Sequence, residues 1–186
     1  ADRVTDFHHS EHVAWLSGRL FSELAALHEL GTTSELTLHA AAVLHDIGWV
    51  QGKRKHHKVS MQMILETRIA CLDAHEQRRV ACLARYHRRA FPDAGHAVFG
   101  NLSRDEQDEI TRLAALLRVA DGLDRGQVGR VRGVRTLRID PASVNLELRA
   151  ASHCPEELLS ATRKSDLFRH VFGRALFVRW RPDGPR

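Results

Sequence analysis

The spacing of apolar residues changes once along this chain, and that change limits the folds open to it. Up to about residue 125, apolar side chains recur three and four positions apart, the period of a helix with one buried face. After Gly126 the pattern becomes strict alternation in VRGVRTLRID and SVNLELRA, two segments separated by Pro141 and Ala142, which is a hairpin signature. Pro155 then opens a short helix, and RALFVRW reads as a third strand. The expected fold is mainly α, a helical bundle over residues 1–126, followed by a small C-terminal antiparallel β/α element over 127–186. The connection DRGQVG is too short for a flexible linker, so the two parts should pack as one unit. With 43% apolar residues in 186, the chain can bury a core without disulfide staples.

Local signals divide the helical part. Residues 5–29 read as a long amphipathic helix ended by Gly31. Ser34 offers an N-cap for a second helix, ELTLHAAAVLHDI, closed by Gly48 and apolar on nearly every side, as expected of a helix running through the core. WVQGKRKHHK reads as a basic loop, VSMQMILET as a short helix, residues 73–89 as a helix ending in RYHRR, and FPDAGHAVFGN as a loop. Ser103 and Glu106 have capping-box spacing and start a helix that runs to about Leu123. Cys71, Cys82 and Cys154 form no C-x-x-C pair and read as reduced, mostly buried thiols. The sequence has no apolar run of about 18 residues and no signal-peptide core, so a cytoplasmic protein without a membrane span is expected.

Four helical segments each aim a metal-competent side chain at their own apolar face. In the helix at 103–125, Ile110, Leu113, Leu117 and Ala120 mark the core face, and Asp121 shares it. A lone carboxylate is costly to bury, so Asp121 should be paired or bound to metal. His87 follows Val80, Leu83 and Ala84 in the same way; His12 heads a line with Leu16 and Leu20; His45-Asp46 ends an apolar run. Any one of these alone reads more simply as a satisfied core histidine. Together, in the order His, His-Asp, His, Asp, they favour a metal site. Among the 13 histidines, His8, His9, His28, His75 and His153 read as surface residues and His39 as packing; Met61 and Met63 read as core filling.

Cations flank these positions. Lys53, Arg54, Lys55 and Lys58 follow His45-Asp46, Arg85, Arg88 and Arg89 surround His87, and Arg125 follows Asp121. Each run alone is an ordinary solvated surface, but their clustering with the candidate ligands suggests a phosphate-binding rim for a small anionic substrate. The net charge of +5 agrees with an anionic ligand. Aromatics make up only 6% and no base-stacking motif is present, which argues against nucleic acid. Homo-oligomerisation is left open. Mixed nitrogen and oxygen donors suit Mn, Fe, Ni, Co or Zn better than Mg, as one ion or two, with Asp46 the natural bridge and catalytic centre. Such ions acidify coordinated water and neutralise phosphoryl charge.

The segments HVAWLSGRLF, HAAAVLHDIGW, RKHHKVS, LARYHRR, LAALLRVADGLDR and RKSDLFRHVFGRALFV give the chain a resemblance to the HD superfamily of metal-dependent phosphohydrolases. It most resembles the C-terminal HD region of the exopolyphosphatase and guanosine-pentaphosphate phosphohydrolase family. The resemblance implies an HD-type helical bundle. It puts His12, His45, Asp46 and Asp121 in the places of the four principal metal ligands, and His57 and His87 in the two extra places of two-metal members. Two departures matter. In two-part relatives, polyphosphate chemistry belongs to an N-terminal actin-like ATPase-type domain, of which these residues carry no trace. And Val59 stands in HHKVS where the family often reads HHKHS, which leaves a second ion to His57 or His56. The expected function is therefore a metal-dependent phosphatase or phosphodiesterase on a small ester such as a nucleotide. The alternatives are a non-catalytic module that binds polyphosphate or nucleotide, and a helical scaffold with a tuned metal site.

Overall fold

The computed structural model describes residues 7–52 and 54–183. Its helical part comprises α1 (Phe7–Glu23), α2 (Ala25–His28), α3 (Thr32–Leu44), a 3-10 turn (Ile47–Gln51), α4 (His56–Glu66), α5 (Ala74–Arg85), α6 (Ala97–Gly100) and α7 (Arg104–Leu123). After it come β1 (Gly133–Ile139), β2 (Ser143–Ala150), α8 (Pro155–Lys164), α9 (Asp166–Phe172) and β3 (Ala175–Pro182). The fold is mainly helical with a small C-terminal sheet.

The central helix is α7. Its start is set by the Ser103 and Glu106 capping box, with the Ser103 hydroxyl accepting from the Glu106 amide and the Glu106 carboxylate accepting from the Ser103 amide. From Leu113 to Ala120 every residue is buried, because α1, α3, α5, α8 and α9 all pack around it. Arg118, only 1% exposed, is part of this core. Its guanidinium donates to the carbonyls of Tyr86 and Ala90 and pairs with Asp166 at 2.9 Å, so its charge is matched and each of its three nitrogens makes a hydrogen bond. Those two carbonyls belong to the segment after α5. This is why the helix expected to reach residue 89 stops at Arg85.

Other boundaries also differ from the sequence reading. The first helix breaks at Leu24, and α2 ends on Glu29 in the left-handed region (φ 55°). His28, read as a surface residue, is buried there: its Nε2–H donates to the Phe21 carbonyl and its Nδ1 accepts from the Leu30 amide. Ser34 does not cap α3, which starts after Gly31; its hydroxyl donates to Glu109 on α7. Nor is α3 apolar all round. Leu38, Ala41 and Ala42 are buried, whereas Leu36 is 66% exposed and His39 is exposed. The helix ends at Leu44, so His45 and Asp46 lie on the turn beyond it.

The expected hairpin forms, β1 pairing antiparallel with β2 around a bulge at Leu137. The third strand corrects the expectation of an antiparallel element. β3 lies parallel to β2, which makes β2 the middle strand of a mixed sheet. A parallel partner needs a crossover connection of about a dozen residues or more, and the chain between β2 and β3 supplies one through α8 and α9 and returns in the same direction. Cys82 and Cys154 are buried and Cys71 is exposed. No helix among the described residues is long and apolar enough to cross a membrane.

Gly48 sets how closely the turn after His45-Asp46 meets α4. Its amide donates to Ser60 Oγ, and a Cβ there would stand 2.3 Å from the His56 carbonyl oxygen and 2.6 Å from the Ser60 amide nitrogen. Both are backbone atoms with little freedom to yield. Gly48→Ala should therefore destabilise the fold by about 1–3 kcal/mol, read as a lower urea midpoint at unchanged slope. An unchanged midpoint would contradict this close contact.

Candidate metal centre

Six side chains from five stretches of the chain meet beside the C-terminal half of α7: His9, His45 with Asp46, His56, His87 and Asp121. The phase of α1 brings in His9. The buried arc of α1 runs through Val13, Ala14, Leu16, Leu20 and Phe21, and His9 falls within it, four residues before Val13 and seven before Leu16. His45 and His87 are mounted alike. Each sits just past the C-terminus of a helix, α3 or α5, and its Nδ1–H donates to the carbonyl three residues back, Ala42 or Ala84, at 2.6 Å. His9 Nδ1–H donates instead to Asp124 Oδ2 at 2.7 Å. In all three, the anchored Nδ1 leaves Nε2 as the nitrogen turned toward the cluster.

Asp46 joins two groups, one at each oxygen. Oδ2 lies 3.6 Å from His45 Nε2 and 3.9 Å from His9 Nε2. Oδ1 lies 3.1 Å from His56 Nε2 and 3.4 Å from His87 Nε2. In each triad, His9–His45–Asp46 and Asp46–His56–His87, the ligand atoms lie within 4.8 Å of one another. Asp121 borders the first triad with Oδ1 3.7 Å from His9 Nε2, while its Oδ2 forms a salt bridge with Lys164.

The electrostatics are those of a site built for positive charge. Burial opposes ionisation of Asp46, but His45, His56 and His87 outweigh it and hold the carboxyl well below the usual range. Burial likewise opposes ionisation of Asp121, which Lys164 above all, with His9 and His45, holds well below its ordinary value. Burial, then the neighbouring His45, pushes His87 down to about 3, so at neutral pH it is an uncharged donor. His9 goes the other way: burial opposes its charge, but hydrogen bonds and charges from Asp121 and Asp124 raise it to about 9. A proton on His9 there supplies positive charge of the kind a cation would bring.

The donor set fits divalent metal. His45 Nε2 is fully buried and has no hydrogen-bond partner among the described residues, which is costly for a polar atom unless a cation binds it. His56 and His87 approach Nε2 to Nε2 at 3.2 Å, a contact that needs a shared proton or cation. Imidazole-rich donors with a carboxylate between them suit a first-row transition ion better than an all-oxygen magnesium site.

Two of the expected ligands lie outside the two triads. His12 stays outside the cluster, on the less buried flank of α1, where its ring stacks on Trp15 at 5.5 Å and 15°. His57 also stays outside. His56 shares the buried line of α4 with Ser60 and Ile64, and one residue further along the helix His57 is turned away by about 100°. Burial, then Arg88, His56, Arg85 and Lys58, pushes His57 down to about 4. Val59 belongs to neither triad. Sequence reasoning missed His9, Asp124 and Lys164, and left His56 open beside His57. His9 matches Val13, Leu16 and Leu20 much as His12 matches Leu16 and Leu20, so local spacing does not choose between them; nothing local marked Lys164.

The cations divide as well. Arg54 and Lys58 are exposed, and Lys53 lies outside the described residues. Arg85 is half-buried with its guanidinium over the Tyr86 ring at 5.6 Å. Arg88, Arg89 and Arg125 line a single cleft of 520 Å³ together with Lys164, the residue that pairs with Asp121. His8, His75 and His153 are exposed, as read from the sequence.

Residues 4–161 match the family model described as Ppx/GppA phosphatase, domain III. No curated protein matches the chain.

His9→Ala should lower the metal bound per chain and His12→Ala should leave it unchanged, as measured by elemental analysis after supplying Mn or Ni. The opposite ranking would overturn the placement of α1. The metal-free protein should also lose stability as pH falls below about 6.5. There the unfolded chain protonates His87 at its ordinary value while the folded chain resists down to about 3, so the unfolded state binds more protons. Urea midpoints of chelator-treated protein that stay flat from pH 7 to pH 5 would contradict this.

Proposed function

The chain belongs to the Ppx/GppA phosphatase domain III family, and from that premise we propose that it is an HD-type, metal-dependent phosphohydrolase acting on a small anionic phosphate ester such as a nucleotide. The observation that carries this reading is the Asp46 carboxylate set between two histidine pairs, one at each oxygen. His9, His45, Asp46 and Asp121 would hold one divalent ion, and Asp46, His56 and His87 a second. Such ions, when bound, supply Lewis-acid charge for phosphoryl transfer.

The chain's own residues do the rest. His45 and His87, tied to backbone carbonyls, and His9, tied to Asp124, hold their Nε2 atoms in place before any ligand arrives, so little ordering cost remains at binding. Arg88, Arg89 and Arg125 offer planar guanidinium donors that match phosphate oxygens. They would bind a phosphate alike in ground and transition states, and so act on affinity more than on turnover.

The test is a phosphatase and phosphodiesterase screen with added Mn, Co, Ni and Mg, run on the wild type and two variants. Asp46→Ala should lose both bound metal and hydrolysis. The Arg88→Ala, Arg89→Ala double variant should keep its metal and its kcat while KM rises roughly tenfold, and KM should rise further with salt. Hydrolysis that survives in Asp46→Ala would put the hydrolytic centre elsewhere. Metal-loaded protein that binds nucleotide or polyphosphate without turning over any ester would make it a regulatory binding module instead.

A further inference from the structure

We propose that the C-terminal helix α8 completes the site: Lys164 and Arg163, with Arg88, Arg89 and Arg125, form a binding cleft for a tetrahedral phosphate, in which Lys164 donates to the phosphate while still neutralising Asp121. This rests on the phosphohydrolase reading for what the bound phosphate would be used for, but not for the binding itself.

The argument begins with how close α8 comes to α7. Gly122, next to Asp121, faces Ala161, and a Cβ on Gly122 would stand 2.8 Å from the Ala161 Cα. Only a residue without a side chain admits this approach. Lys164 lies one turn beyond Ala161 on the same side of α8, so the contact carries its ammonium to the Asp121 carboxylate. Lysine in the last turn of a helix is often no more than a partner for the helix's own negative end. Here it reaches across to another helix and stands at the wall of the 520 Å³ cleft.

Charge then identifies the occupant. The four guanidinium groups of Arg88, Arg89, Arg125 and Arg163 line that cleft, and none has a carboxylate partner among the described residues. Of the two acids that also line it, Asp166 is already engaged by Arg118, and Glu156 is an exposed rim residue. So much unneutralised positive charge around one space is self-repelling until an anion enters. The cations come from the segment after α5, the end of α7 and the end of α8, so three separate stretches of the chain supply donors to the one cleft. A planar carboxylate offers acceptors in one plane, whereas a phosphate offers them tetrahedrally. An ammonium has three donors; Asp121 takes one and leaves two for the ligand. Lys164 is therefore a phosphate-binding residue that also ties the cleft to the metal cluster.

The test is calorimetric titration of the full, metal-loaded chain with inorganic phosphate, alongside metal content and the kinetics of an active ester. Lys164→Met should weaken phosphate binding roughly tenfold and Arg163→Ala by a few-fold, with metal per chain unchanged in both. Lys164→Arg should recover most of the affinity. Binding should weaken steeply with salt. Lys164→Met that lowers metal content but leaves the phosphate affinity of the loaded fraction unchanged would overturn the proposal, because Lys164 would then be only a counter-ion to Asp121. If Lys164→Met does not fold, Arg163→Ala decides, and unchanged affinity there counts against the cleft. Phosphate binding that responds to these variants in a protein without hydrolysis would sustain the cleft and sink the phosphohydrolase reading. Hydrolysis with KM unchanged in Lys164→Met would do the reverse.

Discussion

A carboxylate enclosed by four imidazoles is the constraint on which the rest of the structure depends. Asp46 meets His45 and His9 with one oxygen and His56 and His87 with the other. Such a group is tolerable inside a protein only if it is ionised and matched by positive charge, because burial alone would drive it neutral. The surroundings keep it ionised. Burial leaves His87 uncharged, while Asp121 and Asp124 let His9 carry a proton. The interior of the bundle thus gathers imidazoles and carboxylates that could hold cations.

The candidate ligands stand at helix ends and turns rather than in the middle of the packed core. His45 and His87 each follow a helix terminus and satisfy one of its free carbonyls, so the same hydrogen bond that finishes the helix orients the ring. Arg118 works similarly at larger scale. It binds the carbonyls of Tyr86 and Ala90 and so holds the segment that carries His87, Arg88 and Arg89 against α7. Asp124 ties His9 to the amide of Gly129 and couples α1 to the connection that leads into the sheet. Helix termination, core packing and ligand orientation are in each case one interaction.

The C-terminal segment is joined to the same centre. α8 packs on α7 at Gly122 and delivers Lys164 to Asp121, while the buried faces of β1 and β2, through Val134, Val144, Leu146 and Leu148, belong to the one hydrophobic core. The change in hydrophobic period at Gly126 marks a change of secondary structure within that core.

Much of this was legible in the chain itself. The two hydrophobic periods, the Ser103 and Glu106 capping box, the β1–β2 hairpin and the inward face shared by Asp121 follow from local spacing, because a helix or strand repeats its geometry whatever lies around it. The order His, His-Asp, His, Asp pointed to metal on the same ground. Tertiary structure alone decided which member of each crowded histidine set enters the cluster: His9 rather than His12, His56 rather than His57. Each residue turns a helix by about 100°, so the choice depends on where the buried arc is centred, and only the neighbouring helices set that. It likewise decided the parallel docking of β3 and the pairing of Lys164 with Asp121, 43 residues away in sequence. Those contacts arise from how α7, α8 and β2 pack, a property that no local pattern encodes.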